Sequence, residues 1–397
     1  MSYPIADRPL WVPDGGRIAA ANITAFARRA ESRWGCSLPD YAALHAWSVN
    51  EPAEFWTSVW ESGEVRGQMG AAVLEDADRM PGARWFPGAR LNFAENLLRS
   101  RDDSDAMVFW GEDKVKNRLS HGDLYRQVAH FAAALQDQGV VAGDRVAAYM
   151  PNLPETIVVM LAAASLGAIF SSASPDFGVQ GVLDRFGQIE PKVLVAVDGY
   201  YYNGKIVDCL DRLAAITDGL PSVKRVVVVP YVHAHHDISH VHHARMLVDF
   251  VKPFLAETEI PFVQLPFAHP LFIMYSSGTT GVPKCIVHGA GGVLLQHLKE
   301  HRLHGDVKPG DRLFYFTTCG WMMWNWLVSG LASGATLLLY DGSPMIGDGA
   351  ILFDYAAAEG MTHFGTSAKF IDGIAKAGLR PRATHDLSAL RAMFSTG

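Results

Sequence analysis

Four cysteines in 397 residues, Cys36, Cys209, Cys285 and Cys319, are too few and too scattered for a disulfide framework, and none forms a CxxC pair of the kind zinc sites use. That scarcity fits a reducing, cytoplasmic setting. The chain also lacks a basic excess. A formal charge of -7 and a pI near 6.1 supply no field for nucleic acid or an anionic membrane, so neither is expected as a partner. Near the amino terminus Asp7 and Arg8 interrupt MSYPIADRPLWVPDGG where an export signal needs its apolar stretch, so none is expected. Internal repeats and low-complexity linkers are missing too. One uncharged run of 18 residues, TIVVMLAAASLGAIFSSA at 156–173, is long enough to raise the question of a membrane span. Its Ala, Ser and Gly content and its polar SSASPD ending suit a buried helix running into a buried strand better. What remains is a globular composition, 49% hydrophobic and 19% charged, suited to small-molecule chemistry.

Residues 1–100 are rich in tryptophan and in short amphipathic stretches such as YAALHAWSVNEPAEFWTSVW at 41–60, whose apolar residues recur at helical spacing. They read as a helical extension. From residue 145 apolar runs alternate with amphipathic ones: RVAAYM, PETIVVMLAAASLG, AIFSSAS, GVQGVLDRFGQIE, KVLVAVDG, GKIVDCLDRLAAI, VKRVVVVP. Alternating strand and helix predicts a parallel sheet covered by helices. After residue 265 the alternation resumes with PLFIMY, a glycine-rich loop, the helical GGVLLQHLKEH, and further pairs down to LRAMFSTG. The expected division is an extension over 1–100, a first α/β subdomain over 101–265 and a second over 266–397. Between the subdomains, VHAHHDISHVHHA at 232–244 carries six of 16 histidines, but its HxHH spacings match no standard ligand set, and a solvated loop is expected.

The stretch YSSGTTGVPK, Tyr275 to Lys284, concentrates small residues at the carboxyl end of the apolar run PLFIMY, the edge where open α/β sheets hold ligands. Gly278 and Gly281 let backbone N–H groups approach an anion. Ser276, Ser277, Thr279 and Thr280 add hydroxyl donors, and Lys284 adds a positive charge. This is chemistry for a polyphosphate. A Walker loop is excluded, because Val282 and Pro283 separate the second glycine from Lys284 and Cys285 follows it. A plain turn between strand and helix would need neither six consecutive small residues nor the proline and lysine behind them.

At these residues the chain resembles the adenylate-forming enzymes, the acyl-CoA synthetases and their relatives. Further stretches are similar to the short-chain branch of that family: RWFPGARLNFAENLL at 84–98, the segment at 119–178 and LRAMFSTG at 390–397. Phe55 and Trp56, the YYYNGK stretch and the tryptophan-rich segment after Cys319 look most like its acetoacetate-activating members. The resemblance implies the adenylation domain of such an enzyme, an α/β fold of mostly parallel, helix-covered sheets. It implies ATP, Mg2+, coenzyme A and a short carboxylate as cofactors and substrates, joined through an acyl-adenylate. Ser276 to Gly281 with Lys284 would then hold the β- and γ-phosphates.

Other roles also come only from the resemblance. Gly397 would let the backbone approach adenine, and Thr396 would border the acyl group. Trp321, Met322 and Met323 of GWMMWNW would line the acyl pocket, although the same residues read equally as the apolar face of a buried helix. Bulky methionines there argue against acetate. Tyr202 and Lys205 match positions that contact coenzyme A in relatives, or are ordinary residues entering a surface helix. No metal-ligating residue is assigned. The chain stops at STG, before the stretches in which the family places its ribose- and magnesium-binding groups, its hinge and its small C-terminal lid with the adenylation lysine. The expectation is therefore an incomplete, inactive adenylation domain. Two alternatives stand beside it: an acetyl- or propionyl-CoA synthetase relative, and a catalytically silent nucleotide-binding module.

Overall fold

A computed structural model describes residues 9, 11–233, 237–276 and 281–396. Two sheets dominate. The larger has seven strands in the order Ala244–Met246, Arg225–Val229, Val193–Val197, Arg145–Tyr149, Ile169–Ala173, Pro270–Tyr275, Cys285–Gly289. All neighbours run parallel except the last pair, which is an antiparallel hairpin. The second has six strands in the order Ala392–Thr396, His363–Ser367, Arg312–Tyr315, Thr336–Asp341, Asp105–Gly111, Val115–Ser120, and it too ends in one antiparallel pair. These are the expected parallel, helix-covered sheets of an α/β fold.

The central strands read as continuous apolar runs because both of their faces are covered: Val193–Val197 is buried at every position. The uncharged run at 156–173 resolves into the helix Pro154–Ser165, buried almost throughout, and the strand Ile169–Ala173. Pro154 opens that helix, where its missing N–H costs nothing. Among the described residues no helix is long and apolar enough to cross a membrane.

Sheet membership cuts across the expected boundary at residue 265. Asp105–Gly111 and Val115–Ser120 lie before it yet join the second sheet, while Pro270–Tyr275 and Cys285–Gly289 lie after it yet join the first. Each strand goes where a partner of matching register covers its backbone groups, so chain order and sheet membership part company. The extension is helical through Gly15–Ala20, Asn22–Trp34, Tyr41–Asn50 and Pro52–Ser62. Beyond Ser62 short two-residue strands take over, as the glycines and prolines of 67–88 dictate.

The RWFPGARLNFAENLL stretch proves to be an internal tie. Asn92 is fully buried, caps the helix Phe93–Leu97 through Glu95 N–H, and donates from Nδ2 to the carbonyls of Ala164, Ser165 and Val263 at 3.2, 3.0 and 2.8 Å. It closes the carboxyl end of the buried helix, where carbonyls have no intrahelical partner.

Candidate functional site

A cleft of about 620 Å3 opens at the carboxyl ends of strands from both sheets. The large sheet contributes Pro151, Asn152 and Ser174, and the second contributes Thr317, Asp341 and Ser367. That is the edge at which parallel α/β sheets hold ligands. Tyr200, Tyr201 and Tyr202 form one wall and Lys369 stands on the rim.

The tyrosine wall is a β-hairpin, not the entry of a helix. Gly199–Tyr202 pairs antiparallel with Lys205–Asp208, with Tyr202 opposite Lys205. Asn203 and Gly204 form the two-residue connection at φ +52° and +75°, the left-handed pair that Asn-Gly adopts most readily. Both predicted coenzyme A residues thus stand side by side at an exposed tip, with Tyr202 54% accessible.

That tip is clamped from the second sheet. Glu112 sits in the turn after Asp105–Gly111 and is fully buried. Its Oε1 accepts from the N–H groups of Asn203 at 2.6 Å and Ser343 at 2.9 Å, and its Oε2 from Gly204 N–H at 2.8 Å. Gly342 lies against it at φ +118°, where a Cβ would come within 2.2 Å of Glu112 Cγ. Beside it stands Asp341, whose carboxyl burial pushes up to about 7; Tyr231 opposes that shift, while Glu112 and Asp176 add to it. A buried acid poised near neutrality in a cleft is the kind of group binding sites use.

The glycine-rich loop is positioned differently from expectation. It joins two antiparallel strands, Pro270–Tyr275 and Cys285–Gly289, because the β-branched Ile286 and Val287 extend the hairpin before the helix Ala290–Lys299 begins. Ser276 N–H donates to Lys284 C=O at 3.0 Å, and Lys284 N–H donates to Ser276 Oγ at 3.0 Å, closing the loop at its base. Gly281 has φ +138°, a conformation that suits glycine, and Lys284 is exposed. Ser277, Gly278, Thr279 and Thr280 lie outside the described residues, as does Gly397.

The base of the loop and the predicted acyl segment meet at a small crevice lined by Tyr275, Ser171, Ser172, Gly320 and Asn325. Ser171 Oγ donates to the backbone carbonyl of Ile273 at 2.8 Å and lies 3.0 Å from the Tyr275 hydroxyl, while Ser172 Oγ donates to Cys319 C=O at 2.7 Å. Of GWMMWNW, Trp321 and Met322 are 59% and 45% exposed, Met323 is half-buried, and Trp324 is wholly buried with Nε1 donating to Asn152 Oδ1 at 2.9 Å. Thr396 is exposed on the edge strand opposite Ser367. The structure therefore brings the strand end that leads into the loop against Gly320 and Asn325 of the predicted acyl segment. It places Tyr202 in the lining of the larger cleft, with Lys205 opposite it on the hairpin.

Glu112, Asp341, Ser343 and Lys369 were not foreseen. Asp341 and Ser343 end the apolar run ATLLLYDGS, and a strand-end acid followed by glycine was a readable signal. Glu112 carried none, since its partners come from two distant turns. In the histidine-rich loop, His233, His240 and His242 lie 3.4, 3.6 and 3.7 Å from Asp208, Asp211 and Asp218, while residues 234–236 lie outside the described residues. Among the described residues no cluster of three or more His, Cys, Asp or Glu could hold a metal.

Comparison with known proteins now gives the class. The pattern of the AMP-binding enzyme family matches residues 93–397, and that of the acetyl-coenzyme A synthetase N-terminus matches residues 41–97. The chain belongs to the AMP-binding enzyme family. Among individual proteins it is similar to the acetoacetyl-coenzyme A synthetase of Rhizobium meliloti (strain 1021), 57% identical over 99% of this chain and 60% of the relative. The acetoacetyl-CoA synthetase of Danio rerio is 45% identical over 98% of this chain and 59% of that protein. The solved acetoacetyl-CoA synthetase from Streptomyces lividans superposes with a TM-score of 0.92 at 44% identity, covering 98% of this chain and 60% of that one. The chain thus spans about 60% of the length of these relatives. Since the first match runs through 99% of the chain, it lends no support to the expectation that these residues are inactive.

Two predictions follow from this geometry. Replacing Glu112 by Gln leaves one buried N–H without an acceptor, at a cost of about 1.5 to 3 kcal/mol, so amide exchange at Asn203 and Gly204 should speed up roughly 10- to 100-fold. Unchanged exchange in Glu112→Gln would show that the clamp does not restrain the hairpin.

The second concerns acid. His301 is buried with its ring centroid 4.0 Å from that of Trp326, and burial lowers its pKa to about 4; burial lowers His297 to about 3. Both are neutral in the fold but protonate below about 6.5 when unfolded. Stability is therefore fully present above pH 6.5 and falls as the pH drops toward 4, by about 1.4 kcal/mol per pH unit for each ring. Urea midpoints measured from pH 7 to 4.5 should decline, and a His297→Gln, His301→Gln variant should decline more shallowly. Equal slopes would refute this assignment.

Proposed function

We propose that this chain takes part in ATP-dependent ligation of acetoacetate to coenzyme A through an acyl-adenylate. The observation that carries the reading is the loop YSSGTTGVPK at the end of the buried strand Pro270–Tyr275, its base locked by the Ser276–Lys284 pair and adjoining the GWMMWNW segment. Membership of the AMP-binding family and the names of the acetoacetyl-CoA synthetases to which the chain is similar support it.

In this reading a carboxylate oxygen attacks the α-phosphorus of ATP and pyrophosphate leaves. The thiol of coenzyme A then adds to the acyl carbon and displaces AMP. Ser276, Ser277, Gly278, Thr279, Thr280, Gly281 and Lys284 hold the β- and γ-phosphates, and Gly397 lies under adenine. Mg2+ would spread the charge that develops on the phosphates. Magnesium commonly uses one or two carboxylates plus substrate phosphates and water, so the lack of a carboxylate cage among the described residues does not conflict with it. Trp321, Met322, Met323 and Thr396 border the acyl group, with the buried Asn325 as a donor for the keto oxygen. Tyr202 and Lys205 meet coenzyme A at the mouth of the cleft. Four free cysteines among the described residues fit a reducing compartment such as the cytoplasm.

Replacing Thr279 and Thr280 together by Val removes two hydroxyl donors to charged phosphate, each worth about 1.5 to 3 kcal/mol. ATP should then lose most of its protection against thermal unfolding. Full ATP protection in the double variant would sink the loop assignment. Specificity is tested apart from binding, by kcat/KM of the enzyme for acetoacetate, acetate, propionate and butyrate. Acetoacetate should lead, because a site built to bond the keto oxygen rejects acids that lack it. Acetate as the best of the four would overturn the substrate.

A further inference from the structure

A second cavity, of about 280 Å3, lies between the helices Asn22–Trp34 and Pro52–Ser62 and the end of Ala290–Lys299, on residues that neither the cleft nor the loop uses. Its floor is apolar, formed by Phe26, Val59, Leu298 and Leu303. Its charges are Arg29, Lys299 and Arg302 against Glu64, three cations to one anion. An adjoining pocket of about 270 Å3 shares Phe26, Arg29 and Glu64, and the ions it adds, Arg33 and Glu61, neutralise each other at 2.9 Å.

Three observations set this cavity apart from an ordinary charged surface. Arg302 belongs to Glu300–His304, a five-residue π-helix, a rare element found frequently at functional sites. Its guanidinium is held in place from behind, Nη1 donating to Ser62 C=O at 2.8 Å and Nη2 to Ala332 C=O at 3.1 Å, which leaves its other N–H groups for a ligand. The side chains of Arg29 and Lys299 make no hydrogen bond or ion pair among the described residues. Burial acts against the charge of Arg302, which Glu64 supports and Arg29 opposes, and burial, Arg302 and Arg66 act against that of Arg99, which Glu64 supports. Three cations gathered over an apolar floor thus share one acid, Glu64, and carry an excess of positive charge.

We propose that this cavity binds an amphipathic carboxylate, its head group between Arg29, Lys299 and Arg302 and its alkyl chain over Phe26, Val59 and Leu303. The space is about nine times the ~30 Å3 share of one water, which suits a chain of roughly six to eight carbons. Each buried methylene strengthens binding, so octanoate should bind at least about tenfold more tightly than butyrate.

The experiment is a thermal-unfolding titration of the 397-residue chain with octanoate, butyrate, octanol and sulfate. Octanoate should raise the melting temperature saturably, and octanol and sulfate should not. The surface variant Arg29→Glu with Lys299→Glu should abolish the octanoate shift while its own melting temperature stays within about 2 °C of the parent. ATP protection, which belongs to the glycine-rich loop, should be untouched by that variant. No octanoate shift overturns the proposal. So does a shift that survives in the double variant, since the acid then binds elsewhere, and so does sulfate acting as well as octanoate, since the apolar floor then contributes nothing.

Discussion

The tyrosine wall of the cleft depends on one buried carboxylate that ties its hairpin to the six-stranded sheet. Glu112 rises from a turn of the six-stranded sheet and receives three N–H groups, two from the two-stranded hairpin that follows the large sheet's strand Val193–Val197 and one from the turn after Asp341. Burying a lone carboxylate is costly, and backbone donors offset that cost only when all of them point at it. The geometry is accordingly strained to fit: Glu112 itself has φ +49°, and Gly342 gives up its side-chain volume to let the carboxylate pass. Move any of the three turns and a charge is stranded. The wall carrying Tyr202 is thereby held at a fixed distance from the wall carrying Asp341 and Lys369.

A second consequence concerns how the sheets share the chain. Each sheet takes its antiparallel edge hairpin from the half of the sequence that supplies mainly the other one. Neither sheet can complete its ladder until both halves have been made, so residues 101–265 and 266–397 are poorly described as separate folding units. Asn92 reinforces this. By donating to carbonyls at 164, 165 and 263 it joins the N-terminal extension to the end of the helix Pro154–Ser165 and to the segment before Leu265–Pro266.

What the sequence made legible was whatever depends on local period and on strand ends. Alternating apolar and amphipathic runs marked nearly every strand and helix after residue 145, and small residues behind PLFIMY marked the loop. Two local signals were available and misread. Asn203-Gly204 between tyrosines and KIVD is a hairpin turn by its own chemistry, and Cys285-Ile286-Val287 is a strand by β-branching. Glu112 was not legible, because its meaning comes from three N–H groups 91, 92 and 231 residues away. A lone acid after FWG looks like any turn residue.

The two readings of GWMMWNW, buried helix or pocket wall, turn out to divide the segment between them. Trp324 is fixed first, its indole stacked on Phe170 at 6.0 Å and its N–H bonded to Asn152, so the helix Met322–Val328 has no freedom to rotate about its axis. With that residue pinned inward, the positions from Trp324 to Val328 are all buried against the sheet. The exposed residues are those that precede it, Trp321 at the N-cap and Met322 at the first turn. A large apolar side chain held outward at a helix start, beside the base of the glycine-rich loop, has no core to fill and is left free to cover a substrate. The same tryptophan-rich run thus serves as anchor in its second half and as a candidate substrate wall in its first, and only the position of Trp324 tells the halves apart.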